Sequence, residues 1–502
     1  MNQSATERRT GVLIIGAGFA GLGLGVKLRR QGREDFLILE RGHTVGGAWR
    51  DNTYPGAECD VPSHLYSFSF SLNPNWTKMH APQGEILQYM EDVAKQEGVL
   101  PHARFNTNVE EIRWDEQRKL WQAETSQGTY EAEALIMAVG YLSDAKLPHF
   151  EGMDSFQGAV FHSAEWEHDV DLEGKRVAVI GSGASAIQII PEVAKTASKL
   201  VSLQRSAAYV TPRHDPYYTG AQKRMFARKP ELMEQARADL FWANEERYAQ
   251  RRGTETLIET VTQAALSHLR AQVEDEELRR RLTPDYTIGC KRILKSNDYF
   301  PTFLRDNVVL ADGGATRVTP TGIVDAGGTE HEVDVIIAAT GFEATDIPMA
   351  SKTFGRNGIS LHDRWDRGME AYKTTAVSGF PNLWFIKGPN TGLGHNSAIY
   401  IAEAQIDYVL EALEQVRSGQ VLEVRAAEQE TYMQELEKLS EGTVWLSGGC
   451  ASWYVDPRSG RLTTLWPDFS FTFREVNTPF DDTVYDITQN SHTSPAEELT
   501  NA

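Results

Sequence analysis

One pattern occurs twice in this chain and limits its fold more than any other feature. Val12-Leu-Ile-Ile15 is a short apolar, β-branched run that ends in Gly16-Ala-Gly18-Phe-Ala-Gly21. A helical stretch from Gly21 to Arg30 follows, then a second apolar run, Phe36-Leu-Ile-Leu-Glu40. The order returns as Arg176-Val-Ala-Val-Ile180, Gly181-Ser-Gly183-Ala-Ser-Ala186, a helix through Ala194, and Leu200-Val-Ser-Leu-Gln204. Strand, glycine turn, helix and strand form a βαβ unit suited to a nucleotide pyrophosphate. The first glycine permits the tight turn, the second lets backbone approach the pyrophosphate, and the third packs helix against strand. The phosphates then rest on free N–H groups at the helix N-terminus. The two units start about 165 residues apart, at Gly16 and Gly181, which means two domains rather than a solenoid. The expected fold class is α/β, with two Rossmann-like dinucleotide-binding domains.

The residue that closes each unit separates the two ligands. Glu40 stands 24 residues after Gly16. A carboxylate there accepts hydrogen bonds from ribose hydroxyls and repels a 2′-phosphate. Gly16, Gly18, Phe19, Ala20, Gly21 and Glu40 therefore read as a site for FAD or NAD. Arg205 stands 24 residues after Gly181, where the first unit has its acid. Arg205 and Ser206 suit a 2′-phosphate by charge and hydrogen bond. Gly181, Ser182, Gly183, Ala184, Ser185, Ala186, Gln188, Arg205 and Ser206 thus form an expected NADPH (NADP+) site. One flavin and one NADPH imply a flavoprotein that receives hydride.

The expected layout is a first part of the FAD domain over 1–147, an NADP domain over 148–333 and a return to the FAD domain over 334–484. The charged, helical stretch at about 219–285 reads as an insert in the NADP domain, and 485–502 as a disordered tail. A length of 502 residues buries a large core without staples. The net charge of −20 argues against general affinity for nucleic acid or an anionic membrane. Cys59, Cys290 and Cys450 lie far apart with no CxxC, which excludes a zinc ribbon or dithiol centre and fits a reducing cytosol. The 13 histidines form no HExxH, so no metal is expected, and no GxSxG nucleophile elbow occurs. Arg8 and Arg9 precede an uncharged run, Thr10 to Val26, but its six glycines make a poor apolar helix. It also falls short of the ~20 apolar residues of a membrane span. The expectation is a soluble, cytoplasmic protein.

Between the two units, Phe156-Gln-Gly158-Ala-Val-Phe-His162-Ser-Ala-Glu-Trp166-Glu167 resembles the F-x-G-x-x-x-H-x-x-x-W-[P/D] fingerprint of Type I Baeyer–Villiger monooxygenases, a group of class B flavoprotein monooxygenases. Glu167 departs from its last position. Gly46-Gly-Ala-Trp49-Arg-Asp-Asn-Thr-Tyr54-Pro55-Gly56-Ala-Glu-Cys-Asp60 matches throughout the longer family signature [A/G]-G-x-W-x(4)-[F/Y]-P-[G/M]-x(3)-D. Asp334-Val-Ile-Ile-Ala-Ala-Thr340-Gly341-Phe342 is similar to the ATG motif that links the two domains. Gly289-Cys-Lys291-Arg292 looks like the family's Lys-Arg pair, and Ser452-Trp453-Tyr454 like its late nicotinamide-contacting segment. The resemblance runs from about residue 10 to 475.

The resemblance implies conversion of ketones to esters or lactones, with NADPH and O₂, through a flavin C4a peroxide. Arg292 would be the catalytic cation beside the flavin, and Asp60 would orient it. Lys291 would hold the 2′-phosphate, and Trp453 would meet the nicotinamide. Gly47, Trp49, Tyr66 and Val109 would lie at the FAD. Phe156, Gly158, His162 and Trp166 would couple the domains, with His162 not an acid–base group. The loop Gly388–Asn396 would aim N–H dipoles at the flavin. A substrate pocket is expected at the junction of both domains, shaped by the insert and the loop from Cys450 to Pro457. The closest rival is a flavin monooxygenase that oxidises sulfur or nitrogen, which Glu167 slightly favours. A non-oxygenating NADPH sensor is more remote, and a disulfide reductase lacks the close cysteine pair it needs.

Overall fold

The structure is a computed structural model that describes residues 8–490. Arg9–Ile15 pairs in parallel with Phe36–Leu39 on one side and with Gly128–Met137 on the other. The strand is apolar on both faces because both faces are covered. Val12 and Ile14 pack with Leu22 and Ile406, while Leu13 and Ile15 pack with Trp121 and Leu135. An antiparallel meander, Val109–Asp115, Leu120–Thr125 and Gly128–Met137, widens this sheet to eight strands. The late strand Leu383–Phe385 enters it in parallel beside Leu135–Met137. The 20-residue helix Ala398–Arg417 then packs across Phe19–Arg30, where Gly23 makes room for Ile406 and Phe68.

The second sheet has five parallel strands in the order Val308–Leu310, Lys199–Leu203, Arg176–Ile180, Val335–Ala338, Ala159–His162. This moves one expected boundary. The sequence puts the return to the first domain at Asp334, yet Val335–Ala338 lies between two strands of the second sheet. The chain rejoins the first sheet only at Thr353–Phe354. A buried parallel strand reads the same in either sheet, so its composition did not say which one it joins.

The segment 219–285 carries the helices Gly220–Arg228, Pro230–Glu245, Glu255–Gln272 and Glu276–Arg281. Thr219 starts the first of them with a capping box to Gln222. Two other expectations change. Tyr485–Gln489, read as part of a disordered tail, pairs antiparallel with Gln420–Val424. Only its first residue is buried, with the Tyr485 hydroxyl 2.5 Å from that of Tyr408, so its polar remainder hid the pairing. Residues 491–502 of that tail lie outside the described residues. Cys290 and Cys450, 160 positions apart, form a disulfide, and Cys59 is free and buried. Sequence distance concealed that contact, and with two of three cysteines bonded the low cysteine count does not point to a reducing compartment. No helix among the described residues is long and apolar enough to cross a membrane, and they contain no cluster of metal-ligating side chains.

Gly21 shows how tightly the first unit is built. A Cβ there would stand 1.9 Å from the Gly16 carbonyl oxygen. Helix and turn would have to separate. Gly21→Ala is expected to lower stability by about 1–3 kcal/mol, the usual cost of overpacking, and urea denaturation of purified protein measures it.

Candidate active site

The first cleft opens where Arg9–Ile15 meets the helix Phe19–Arg30. Gly16 has φ +102°, and a Cβ on it would stand 2.7 Å from the Ala138 carbonyl oxygen. Gly18 is the N-cap and offers no side chain to the free N–H groups. Opposite it, Gly47 has φ +51°, and a Cβ there would come within 3.1 Å of the Gly18 Cα. The helix N-terminus therefore faces the cleft with its positive dipole end uncovered. Glu40 accepts hydrogen bonds from the Ala17 and Gly42 amides at 2.8 and 2.7 Å and pairs with Arg50 at 2.8 Å. The carboxylate is thus held at the cleft edge, and Arg50 is a supporting residue that the sequence reading missed.

Gly16, Gly18, Phe19, Ala20, Glu40, Gly47, Trp49, Tyr66 and Val109 all line this cleft. Gly21 and Asp60 do not. Gly21 packs against the turn, and Asp60 lies at the junction described below. Trp49 Nε1 donates to the Tyr66 hydroxyl at 3.1 Å, with the rings edge to face. Burial pushes the Tyr66 phenol far up, so it stays neutral. Uncapped amides, a carboxylate at the ribose position and apolar walls fit a dinucleotide flavin.

The second cleft has a volume of about 610 Å³ and lies over Gln204–Ala207. Arg205 and Ser206 line it together with Arg280 and Arg281 from the last insert helix. Arg281 donates to the Leu310 and Ala311 carbonyls at 2.8 and 2.6 Å. Lys291 Nζ donates to Ser206 Oγ at 2.7 Å, and Ser182 Oγ donates to the Ser206 carbonyl at 2.7 Å. Burial lowers the Lys291 ammonium and the charge of Arg205 lowers it further. Converging cations of this kind favour an anion between them. Gly181 has φ +126°, with the Ala339 carbonyl 2.4 Å from where its Cβ would be. At Gly183, the N-cap, a Cβ would meet nothing within 4 Å, so this helix end is also open. Ala184 and Ser185 begin the helix, and Ala186 is fully buried beneath it.

Gln188 departs from the expected nucleotide contact. Its amide accepts from the Tyr54 hydroxyl and donates to the Glu58 carbonyl, both at 3.0 Å. It ties the second unit to the signature loop. Arg280 and Arg281 were legible as a run of arginines, Arg279-Arg280-Arg281, but only the fold brings them to Arg205.

Arg292 and Asp60 meet between the clefts. Arg292 Nε and Nη2 donate to the two carboxylate oxygens of Asp60 at 2.5 and 2.7 Å. Arg292 Nη1 reaches toward the Leu393 carbonyl at 3.5 Å. Burial would raise the Asp60 carboxyl, but Arg292, by charge and hydrogen bond, with Lys295 and His80, holds it well below the usual carboxylate range. The charge of Asp60 raises Arg292 above its ordinary value. The pair stays ionised at any working pH. Lys295 Nζ donates to the Asp60 carbonyl at 2.9 Å.

The disulfide at Cys290 joins the Lys291-Arg292 segment to the loop that carries Trp453. Trp453 is 40% exposed, and its ring lies 6.0 Å from that of Tyr141, which lines the first cleft. The fingerprint residues sit away from both clefts. Ala159–His162 is the edge strand beside Val335–Ala338, and a Cβ on Gly158 would strike the Asp334 carbonyl at 2.1 Å. Phe156 packs beneath that sheet, and Trp166 packs edge to face on Phe161. His162 is fully buried, accepts from the Ala164 amide at 3.1 Å and stands over Phe342 of the linking motif. Burial lowers its imidazole, with the Gly341 backbone opposing. Glu167 is exposed on the turn that follows.

Comparison with known proteins agrees with this geometry. A family model described as pyridine nucleotide-disulphide oxidoreductase matches residues 13–220. Cys59, buried, is the one cysteine in that range, so the match carries no dithiol chemistry. The chain is 45% identical over 500 residues to a Baeyer–Villiger monooxygenase of Pseudomonas aeruginosa, covering 99% of this chain and 94% of the relative. It is 43% identical to one of Streptomyces coelicolor, covering 95% and 92%. Among solved structures, a steroid monooxygenase bound to NADP is 31% identical with a TM-score of 0.82, over 96% of this chain and 100% of that one. A cyclohexanone monooxygenase from Rhodococcus bound to NADP+ is 25% identical with a TM-score of 0.85, over 96% and 99%. On identity of this size over nearly its whole length, the chain belongs to the Baeyer–Villiger monooxygenase family.

Proposed function

We propose that this chain is an FAD-dependent monooxygenase that takes hydride from NADPH and inserts one atom of O₂ beside a ketone carbonyl, releasing an ester or a lactone. The observation that carries the reading is the Arg292–Asp60 fork standing between two dinucleotide clefts. FAD, when bound, supplies the hydride acceptor and the activation of oxygen, and the protein supplies placement and charge. The amides behind Gly16 and Gly18 would take its pyrophosphate, Glu40 its ribose, and Trp49 and Tyr66 would flank its ring. Arg205, Ser206 and Lys291 would hold the 2′-phosphate of NADPH.

Arg292 supplies a charge that no working pH removes. A cation held in a low-dielectric junction stabilises negative charge that develops on oxygen beside it, an effect worth ~3–4 kcal/mol in a transition state. Asp60 keeps the guanidinium plane in one orientation and stays ionised, so it gives up no proton. Oxidation of sulfur or nitrogen calls instead for a proton delivered to the oxidant. Neither Asp60, already ionised, nor Tyr66, its phenol pushed far up, supplies one readily. The 45% identity to a Baeyer–Villiger monooxygenase favours the ketone reading over its rival. Glu167, exposed on a turn, gives no counterweight. The chain's net charge of −20 agrees with small-molecule rather than nucleic-acid partners.

Two outcomes test these roles. Arg292→Ala is expected to cut ester or lactone formation by about 10²–10³ while NADPH still reduces the flavin, with products identified by mass over a panel of ketones and sulfides. Sulfoxides alone from the wild type would assign the rival activity. Arg205→Ala is expected to raise KM for NADPH by about 10–100-fold, as loss of a charge-assisted hydrogen bond implies, and to leave KM for NADH nearly unchanged in steady-state assays.

A further inference from the structure

Lys387 interrupts an apolar pattern. It follows Leu383-Trp-Phe-Ile386, at the point where that strand runs out over the first cleft, and its side chain lines the cleft. Its φ of +62° is in the left-handed region, which residues other than glycine rarely occupy. Such strain persists where the surroundings over-determine it, and it gathers at functional sites. The surroundings here are specific. The Lys387 amide donates to Gln405 Oε1 at 2.8 Å, and Gln405 donates in turn to the Thr374 carbonyl and Thr375 Oγ at 2.9 and 3.0 Å.

The ammonium itself has no anion. Nζ donates to the Thr391 carbonyl at 2.7 Å and to the Tyr141 hydroxyl at 3.4 Å, and it lies 5.3 Å from the Tyr141 ring centroid. Among the described residues it makes no ion pair, whereas Arg50 has Glu40 and Arg292 has Asp60. Burial pushes the ammonium down to about 7. The residue is half-buried, and a desolvated cation without a partner is costly unless a ligand brings the countercharge.

The position along the cleft says which part of the ligand that is. The pyrophosphate has its own amides at Gly16 and Gly18, at the start of the helix Phe19–Arg30. Lys387 points instead to Tyr141, whose ring faces Trp453 and whose hydroxyl lies within the field of Arg292. That is the end where nicotinamide, flavin ring and substrate would meet. Ala398 and Ile399, at the N-terminus of the long helix, line the same cleft and add its dipole.

We propose that Lys387 is a further catalytic residue, a cation that contacts the flavin ring and stabilises the negative charge left there by hydride transfer. The C4–H bond of the nicotinamide breaks with its electron pair, giving NADP+, and two electrons enter the pocket with one proton. One negative charge therefore remains beside Lys387. The inference rests on the reading of this cleft as the FAD site.

The test uses FAD-loaded wild type, Lys387→Met and Lys387→Arg. Two-electron midpoint potentials are measured against a reference dye at pH 7, and affinity for oxidised FAD by flavin fluorescence. Lys387→Met is expected to lower the potential by about 30–60 mV, which is a 10–100-fold loss of affinity for reduced over oxidised flavin. Oxidised FAD should bind as before, and Lys387→Arg should restore the potential. An unmoved potential overturns the proposal. Equal weakening of both redox states also overturns it and assigns Lys387 to the pyrophosphate. A wild type that binds no FAD would instead defeat the proposed function itself. If Lys387→Met does not fold, proton uptake by the wild type decides. Tyr141, the titratable side chain in contact with Lys387, stays neutral because burial raises it. Reduction between about pH 7 and 9 should then take up more than one proton per two electrons, and uptake of one proton only overturns the proposal.

Discussion

Asp60 and Arg292 come from the two halves of the chain, 232 positions apart, and the site exists only while they stay joined. Asp60 ends the signature segment, whose first part lines the first cleft and whose later part, from Tyr54 on, touches the second unit. Tyr54 donates to Gln188, and Gly56, at φ +81°, lets backbone pass where a Cβ would stand 2.8 Å from the Gln188 carbonyl. Glu58 accepts from Gln188 through its carbonyl and pairs with Arg213 through its side chain at 2.7 Å. The Cys59 carbonyl accepts from Arg213, and the Asp60 carbonyl from Lys295. The signature is therefore a strap between two nucleotide units, and its spacing follows from the need to reach across. Breaking a fully buried ion pair costs about 3–5 kcal/mol. Here water reaches 34% of the Arg292 side chain and 29% of Asp60. Screening brings the figure toward 1–3 kcal/mol, so the fork acts more through geometry than through stability.

The same strap explains how an acidic protein builds a cationic centre. Arg205, Lys291, Arg292, Lys295 and Arg281 all come from the second unit or from the chain leaving its insert. Arg281, Lys291, Arg292 and Lys295 are held by carbonyls, a hydroxyl or Asp60 rather than by a row of carboxylates, and Arg205 stands exposed near Lys291. Net charge governs solubility and long-range encounter. It says little about a junction where field is set by four or five groups within reach of one another.

What the sequence made legible were the parts whose chemistry is local. A glycine turn, a helix and the residue 24 positions on give the acid of one cleft and the arginine of the other without any tertiary information. Lys291, Arg292 and Asp60 were reached through motif resemblance rather than physics, since nothing in their own neighbourhoods says that they meet. The misses share the opposite property. Arg50 under Glu40, Arg280 and Arg281 beside Arg205, and the Cys290–Cys450 bond depend on which surfaces dock. The placement of Val335–Ala338 failed because a parallel strand buried on both faces carries no label for its sheet. Tyr485–Gln489 failed because one buried tyrosine anchors an otherwise polar strand. Lys387 left a trace, a charge at the end of an apolar run, but its backbone conformation and its lack of an anion belong to the fold alone.

Proton control in this site follows from the unequal treatment of its cations. Asp60 is held below its unfolded value, so the stability it adds is present above the unfolded pKa and is lost only as pH falls through the depressed folded one. Arg292 is raised, so its contribution is lost only at pH above any working range. The fork is thus silent between mild acid and strong base. Lys295, pushed down to about 8 chiefly by burial, and Lys387, pushed down to about 7 by burial, are different. Their folded values lie below the unfolded lysine value, so ionisation of either at neutral pH works against folding unless a ligand restores the charge. Of the two, Lys387 lines the first cleft, so filling that cleft with an anion couples binding to proton uptake there. The junction thus holds one permanently charged cation, Arg292, while the charge of Lys387 depends on what occupies the first cleft.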